Sequence, residues 1–171
     1  MSAADARLNG LAPIWSPEAR LLVLGSFPGV ASLQAQQYYG HPRNQFWPIL
    51  SALWGEDLMA LPYAKRIERA RSHGLAIWDV YDSCIRPGSL DAHIREAQPN
   101  DIAGLAARMP ALQAVAHNGG ESARNMKHSL MLGLPVYRLP STSPANASWS
   151  YERKLQAWRE VFAKHGLVDE H

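Results

Sequence analysis

The chain has 171 residues, of which 47% are hydrophobic, and its 17 Lys and Arg against 15 Asp and Glu give a formal net charge of +2. This length and hydrophobic content predict one folded domain, residues 1–171, and exclude a disordered chain. The small charge excludes a protein that binds nucleic acid by bulk charge alone, although it still permits a local basic face.

Four short apolar runs predict strands. In chain order they are residues 20–24, 75–80, 112–117 and 136–139. Helical patterns alternate with them and lie at residues 46–54, 62–73, 101–109, 120–132 and 150–166. Strands that alternate with helices favour a parallel sheet covered on both faces, so we expect a single three-layer α/β/α domain with a central four-stranded parallel sheet.

Two asparagines stand at the predicted helix starts. Asn44 precedes the run that contains Phe46 and Leu50, and Asn100 precedes residues 101–109. Asparagine is a preferred N-cap because its side-chain oxygen accepts a hydrogen bond from an unpaired N–H of the first turn. The sequence therefore predicts that both residues cap helices.

The single cysteine, Cys84, excludes an internal disulfide and suits a reducing compartment. No apolar stretch reaches the roughly 18 residues of a membrane span. Residues 1–7 lack the basic and apolar parts of a secretory signal. These features predict a cytoplasmic protein with no membrane association.

Ligands of parallel α/β sheets bind beyond the carboxyl ends of the strands. That rule selects four segments, residues 25–29, 79–83, 118–120 and 140–148. They are rich in amides and hydroxyls, which suit phosphate oxygens. The seven histidines show no paired short spacing and the cysteine stands alone, so we expect neither a metal nor another cofactor.

The segment 25–47, GSFPGVASLQAQQYYGHPRNQFW, is the most informative part of the chain. Its glycines allow close backbone approach, and it combines aromatic rings, amides and an arginine beside a strand end. These groups suit a flat polar ring next to a phosphate, and a nucleobase in a nucleic acid is the leading candidate.

The motifs GSFPG, QQYYxHPxNQFW and LPSTSPAN resemble the uracil-DNA glycosylase superfamily, and within it the hypoxanthine-DNA glycosylase branch. The resemblance implies a four-stranded α/β/α fold and a monofunctional N-glycosylase that flips a deaminated base from DNA and hydrolyses its glycosidic bond. We expect a monomer whose partner is DNA containing deaminated bases, without a metal or membrane partner.

Residue roles follow from the same resemblance. Asn44 is implied as the catalytic residue. Base binding is assigned to Gly25, Ser26, Phe27, Tyr39 and Asp79. A loop that contacts the DNA backbone and fills the gap left by the flipped base is assigned to His41, Arg43, Asn118, Ser141, Thr142, Ser143, Pro144 and Asn146.

The chain also departs from the family pattern. Phe27 stands where other branches carry a catalytic Asp or Asn, and Leu139 stands where they carry His or Asn. Neither side chain can orient water or stabilise a departing base anion. Besides the glycosylase for hypoxanthine, a uracil glycosylase and a non-catalytic domain that binds damaged bases or nucleotides therefore remain open.

Ordinary structural roles compete with the functional ones. Asn44 can be a helix cap alone, and Tyr39 can be a core aromatic residue. Asp79 closes an apolar strand, where a buried carboxylate commonly binds loop amides. The structure has to decide among these alternatives.

Overall fold

The computed structural model describes residues 6–169. Its strands are β1 (Arg7–Asn9), β2 (Leu21–Gly25), β3 (Leu75–Asp79), β4 (Tyr81–Ile85), β5 (Arg95–Pro99), β6 (Ala114–Asn118) and β7 (Val136–Leu139). Its α-helices are α1 (Val30–Ala35), α2 (Phe46–Trp54), α3 (Tyr63–Ser72), α4 (Ile102–Ala106), α5 (Gly120–Ala123), α6 (Met126–Leu130) and α7 (Tyr151–Lys164). Single 3-10 turns occupy Leu58–Ala60 and Asp91–His93.

The four predicted strands form one parallel sheet in the order β3-β2-β6-β7. Alternate residues of β2 face opposite sides of the sheet and pack against helices on both sides, which gives three layers. Leu21 and Val23 join a core with α2 and α7, while Leu22 and Leu24 join a second core with α4 on the other face. The predicted α/β/α architecture is confirmed.

Helix termini differ in detail from the prediction. The N-cap of α2 is Gln45, but the Oδ1 atom of Asn44 accepts a hydrogen bond of 2.9 Å from the Phe46 N–H, so Asn44 still satisfies a first-turn donor. The cap of α4 is Asp101, whose carboxylate accepts from the Gly104 N–H, and not Asn100. The predicted helix 120–132 is divided into α5 and α6. Among residues 6–169, no helix is both long and apolar enough to cross a membrane.

A second sheet was not predicted. It is antiparallel, in the order β1-β4-β5. Residues 79–83 were predicted as a loop, yet β4 starts at Tyr81 and runs antiparallel to β1. The pairing of β4 with β5 is interrupted by register shifts, and four of the five residues of β5 are exposed. An exposed, irregular strand carries no apolar run, which is why sequence periodicity missed it.

Candidate active site

A cavity of about 930 Å³ opens beyond the carboxyl ends of the parallel strands. Two strand ends face each other in register at its base, Gly25 of β2 opposite Asp79 of β3. Of the predicted site residues, those that line the cavity are Gly25, Ser26, Phe27, Tyr39, His41, Asn44, Asp79, Asn118, Ser141, Thr142, Ser143, Pro144 and Asn146. Arg43 lies outside the lining and is exposed.

Gly25 is the point of closest approach between the two strand ends. A Cβ atom at this position would lie 2.5 Å from Asp79 Oδ1 and 3.2 Å from Tyr39 Oη. Real Cβ atoms essentially never lie within 3.0 Å of another atom, so a larger residue here would displace the Asp79 carboxyl and press on Tyr39. The first glycine of the motif therefore allows a carboxyl group and a phenol to meet at the base of the cavity.

Phe27 is buried, with 6% of its surface exposed. The guanidinium of Arg86 lies 5.4 Å from the centre of its ring, and Arg86 Nη2 donates a 2.8 Å hydrogen bond to the Pro28 carbonyl. Phe27 thus supports an arginine that is itself only 3% exposed. Burial of Arg86 lowers the pKa of its guanidinium, although nearby acidic groups oppose that shift.

Tyr39 combines a strained backbone with a fixed ring. Its φ angle is +55°, which is uncommon for a large side chain. The ring stacks on Phe46 at a centroid distance of 4.0 Å, and its Oη accepts a 3.3 Å hydrogen bond from Asn118 Nδ2. Burial, and then the charge of Asp79, raises the pKa of the phenol. Tyr39 is partly exposed and lines the cavity, so it is not a core residue alone.

The turn that carries Asn44 is held by its own backbone. His41 Nδ1 accepts from the Arg43 N–H at 3.0 Å, and the His41 carbonyl accepts from the Asn44 N–H at 3.0 Å. Asn44 is partly exposed in the cavity wall. Its hydrogen bond to Phe46 N–H uses only the carbonyl end of the amide, so the cap and a role toward substrate are compatible.

Asn118 joins the two halves of the motif. Its Nδ2 donates to Tyr39 Oη and to Thr142 Oγ1, and its Oδ1 accepts from the Thr142 N–H at 3.0 Å. Thr142 is fully buried. The Thr142 hydroxyl faces Asn118 inside the protein, so the predicted contact of this side chain with DNA requires the loop to open and stays a prediction.

The rest of the second-motif loop is also held internally. Ser141 Oγ accepts from the Ser143 N–H at 3.1 Å, and the Ser141 carbonyl accepts from Asn146 Nδ2 at 3.2 Å. Pro144 is exposed at the tip of the loop. Gly119, with φ of +96°, allows this loop to pass, since a Cβ there would lie 3.0 Å from Ser141 Cβ.

Asp79 is 5% exposed and its Oδ2 atom has no hydrogen-bond partner. Burial, and then repulsion from Asp91, raises the pKa of this carboxyl to about 7, and the charge of Arg86 opposes the shift. Its backbone carbonyl accepts from Asn100 Nδ2 at 2.8 Å. The expected alternative, in which the carboxylate binds loop amides, does not account for Oδ2.

Asp91 is a cavity-lining residue that sequence reasoning missed. It starts the 3-10 turn between β4 and β5, and its Oδ1 accepts a 2.7 Å hydrogen bond from Ser26 Oγ. No motif surrounds it, and the strands on either side were not predicted. Only the fold brings it beside the first motif.

Residues 13–163 match the family model of the uracil DNA glycosylase superfamily. The chain belongs to this superfamily. A hypoxanthine DNA glycosylase of Methanosarcina barkeri is 34% identical over 156 residues, which cover 91% of this chain and 98% of that protein. A hypoxanthine DNA glycosylase of Methanosarcina acetivorans is 32% identical over 154 residues, which cover 90% of this chain and 97% of that protein.

A solution NMR structure of a Methanosarcina acetivorans protein, described as a candidate uracil DNA glycosylase, has a TM-score of 0.84 and 31% identity to this superfamily member. The match covers 93% of this chain and 98% of that one. The present chain is therefore a DNA N-glycosylase by family as well as by architecture.

Proposed function

We propose that this glycosylase flips hypoxanthine, in preference to other deaminated bases, out of DNA and hydrolyses its N-glycosidic bond, leaving an abasic site. The observation that carries the base-binding part is the buried carboxyl of Asp79, which has an unpartnered oxygen at the base of the cavity. A flipped base loses its pairing partners and needs polar groups to replace them.

Asp79 is suited to that replacement because its pKa of about 7 keeps a large share of the carboxyl neutral near physiological pH. A neutral carboxylic acid presents one O–H donor and one acceptor oxygen side by side. Hypoxanthine presents an N–H and a carbonyl oxygen as neighbours, so the two groups are complementary. Uracil has the same pair, and hence uracil remains the alternative substrate.

Stacking supports the same assignment. One face of the Tyr39 ring lies on Phe46, and the ring is partly exposed in the cavity wall. Asn118 fixes the ring by binding its hydroxyl. A preorganised aromatic face of this kind binds a base without paying further ordering entropy.

Asn44 is the proposed residue at the reacting sugar. Bond cleavage develops positive charge on the sugar and negative charge on the base, and an amide can stabilise either charge or place a water. An amide cannot act as a general base of useful strength. Asn44 therefore serves in binding and polarisation, and it does not itself activate the attacking water.

DNA contact is proposed for the exposed groups around the opening. Arg43 and Pro144 are exposed, and His41 is exposed in the turn beside Asn44. Phosphate contacts from such groups would position the duplex while the cavity reads the base. We further propose that a single domain acts as a monomer in the cytoplasm without a metal, so that EDTA should leave the rate unchanged.

The test is release of free base from duplexes that contain one inosine, uracil or xanthine. Chromatography detects the base, and alkaline cleavage detects the abasic site. We expect hypoxanthine to be released fastest. Tight binding of the inosine duplex without release of any base would instead favour the non-catalytic damage sensor.

A further inference from the structure

Hydrolysis is accelerated when a positioned group accepts the proton of the attacking water, and Asn44 cannot be that group. His41 is unsuited too, because its Nδ1 accepts the Arg43 N–H, which leaves the proton of a neutral ring on Nε2. Among residues 6–169, two carboxyl groups line the cavity, those of Asp79 and Asp91. Asp79 is buried, whereas Asp91 is exposed and open to water.

We propose that Asp91, held by Ser26, is the carboxylate that accepts the proton of the attacking water. This inference depends on the proposed glycosylase activity. It assigns a catalytic role to the segment between β4 and β5, outside both sequence motifs.

Three hydrogen bonds fix that segment to the first motif. Ser26 Oγ donates to Asp91 Oδ1 at 2.7 Å, Arg86 Nη2 donates to the Pro28 carbonyl at 2.8 Å, and the Val30 N–H donates to Ser89 Oγ at 2.9 Å. The three bonds span residues 26–30 on one side and 86–91 on the other. Ser26 is 8% exposed, so its hydroxyl is a fixed donor and determines where the Asp91 carboxylate lies.

The charges around Asp91 come from several elements. Glu121 of α5 repels it, Arg86 after β4 attracts it, and Asp79 of β3 interacts unfavourably with it. Although the residue as a whole is exposed, partial desolvation of its carboxyl raises the pKa of Asp91, while the hydrogen bond from Ser26 opposes that shift. A carboxylate whose pKa is raised is a stronger base, which suits proton transfer from water.

The step balances as follows. The bond between the sugar C1′ and the purine nitrogen breaks, and its electron pair goes to the base. A water oxygen bonds to C1′ and gives one proton to Asp91. The departing base gains a proton, which neutral Asp79 or solvent can supply, and the products are hypoxanthine and an abasic sugar. No oxidant or reductant is needed.

The primary test is Asp91→Asn under single-turnover conditions with an inosine duplex. The asparagine Oδ1 can still accept from Ser26, so the local structure is kept while the base is removed. We expect the rate to fall at least about a hundredfold, within the range of general-base contributions, while the dissociation constant for the duplex changes less than about threefold. Asp82→Asn, at an exposed position on β4 outside the cavity lining, is the matched control with unchanged rate.

Two further readouts separate catalysis from folding. The wild-type rate should rise with pH as Asp91 ionises and fall again as Asp79 loses its proton, and Asp91→Asn should lose only the rise. Formate added to Asp91→Ala should restore part of the rate, because a small carboxylate can enter the space left by the side chain. Ser26→Ala should lower the rate less than Asp91→Asn does, since it removes only the positioning bond.

An Asp91→Asn protein with a normal rate, or an Asp91→Ala protein without formate rescue, would overturn the role of Asp91. The wild-type protein in the same assay reports separately on the proposed function. If wild type releases no base, the glycosylase proposal fails; if wild type is active and Asp91→Asn is equally active, only the Asp91 proposal fails.

Discussion

The two walls of the cavity are built differently. The amide wall is made of Tyr39, Asn44, Asn118 and Thr142. Asn118 is hydrogen-bonded to both Tyr39 and Thr142, and Asn44 is held by its bond from the Phe46 N–H. The carboxyl wall is made of Asp79 and Asp91, and the buried Arg86, which lies outside the cavity lining, interacts electrostatically with both. In the described part of the chain, the buried side-chain atoms without a partner are Ser16 Oγ, Asp79 Oδ2 and Arg86 Nη1, so one belongs to the carboxyl wall and one to its charged neighbour.

This difference suggests a division of roles, in which the amide wall positions the substrate and the carboxyl wall takes part in the reaction. A buried polar group without a partner costs stability, typically about 1–3 kcal/mol, and such a cost is commonly tolerated where the group acts on a ligand. The amide wall keeps its hydrogen bonds with or without substrate, so it supplies shape. The carboxyl wall contains Asp79 Oδ2, a hydrogen-bonding atom without a partner in the protein. Substrate and water should therefore form their strongest interactions with this wall.

The largest effect is expected for Asp79→Asn and concerns stability against pH. The pKa of Asp79 is about 7 in the folded protein, against an ordinary value of 3.8, so between these values the folded state holds a proton that the unfolded chain has released. Stability contributed by the neutral form is thus lost as pH rises from about 4 to about 7, and the loss approaches roughly 4 kcal/mol at 1.4 kcal/mol per pKa unit.

Asparagine carries no such proton. The free energy of unfolding of Asp79→Asn in urea should therefore exceed that of wild type above about pH 8 and converge with it near about pH 4. The comparison between the two proteins cancels His117, whose pKa is lowered to about 4 by burial and acts in the opposite sense. Parallel pH curves for wild type and Asp79→Asn would show that Asp79 is not the titrating group.

Gly25→Ala introduces a Cβ atom that would clash with side chains of both walls. The new Cβ would lie 2.5 Å from Asp79 Oδ1, which belongs to the carboxyl wall, and 3.2 Å from Tyr39 Oη, which belongs to the amide wall. We expect the base-release rate to fall at least about a hundredfold, since an ångström of misplacement at a reacting site can cost that much. Gly29→Ala is the control, because its Cβ would meet Ser89 at 3.6–3.8 Å, an ordinary contact.

Asn44→Ala tests the amide wall. If the amide stabilises the sugar or places water, the rate should fall at least about tenfold, which equals 1.4 kcal/mol of transition-state stabilisation. Folding should lose only about 1 kcal/mol, the usual cost of a lost helix cap. Asn44→Asp keeps a good helix cap, so normal stability with an altered rate would support the catalytic role. A stable and fully active Asn44→Ala protein would contradict that role.

The smallest effects concern DNA contact. Arg43→Gln should reduce the salt slope of duplex binding by about one unit, because one phosphate contact releases about one counterion. Thr142→Val should leave that slope unchanged and lower stability by about 1 kcal/mol, since it removes only the internal bond to Asn118. Fluorescence anisotropy from low to moderate salt measures both; an altered slope for Thr142→Val would mean that this loop opens onto DNA.

The amide wall and the carboxyl wall also differ in how far sequence could predict them. The parallel strands are buried apolar runs, so the sequence predicted them and the segments that follow them, and the strand-end rule then located Asp79 and Asn118. Asn44 and Tyr39 were found through the motif. Their precise bonding, such as the burial of Thr142, depends on side-chain packing that no local pattern encodes.

Asp91 and Arg86 were out of reach for a different reason. They lie in the segment that connects β4 to β5, two strands whose pairing is interrupted by register shifts. Such strands lack the regular alternation of apolar and polar residues by which a strand is predicted. Arginine is normally expected at the surface, and no local sequence pattern predicts that Arg86 is buried with its guanidinium against Phe27. Only tertiary structure places these charges beside the first motif.

The C-terminal helix has a practical consequence. Lys154 of α7 is 2% exposed, and its Nζ donates a 2.8 Å hydrogen bond to Gln45 Oε1, at the start of the helix that follows Asn44. The other lysines, Lys65, Lys127 and Lys164, are all exposed. An acylating reagent should label those three at once and Lys154 only when α7 separates from the core. The delay in modification of Lys154, measured by mass spectrometry, therefore reports the rate of spontaneous opening beside the turn that carries Asn44.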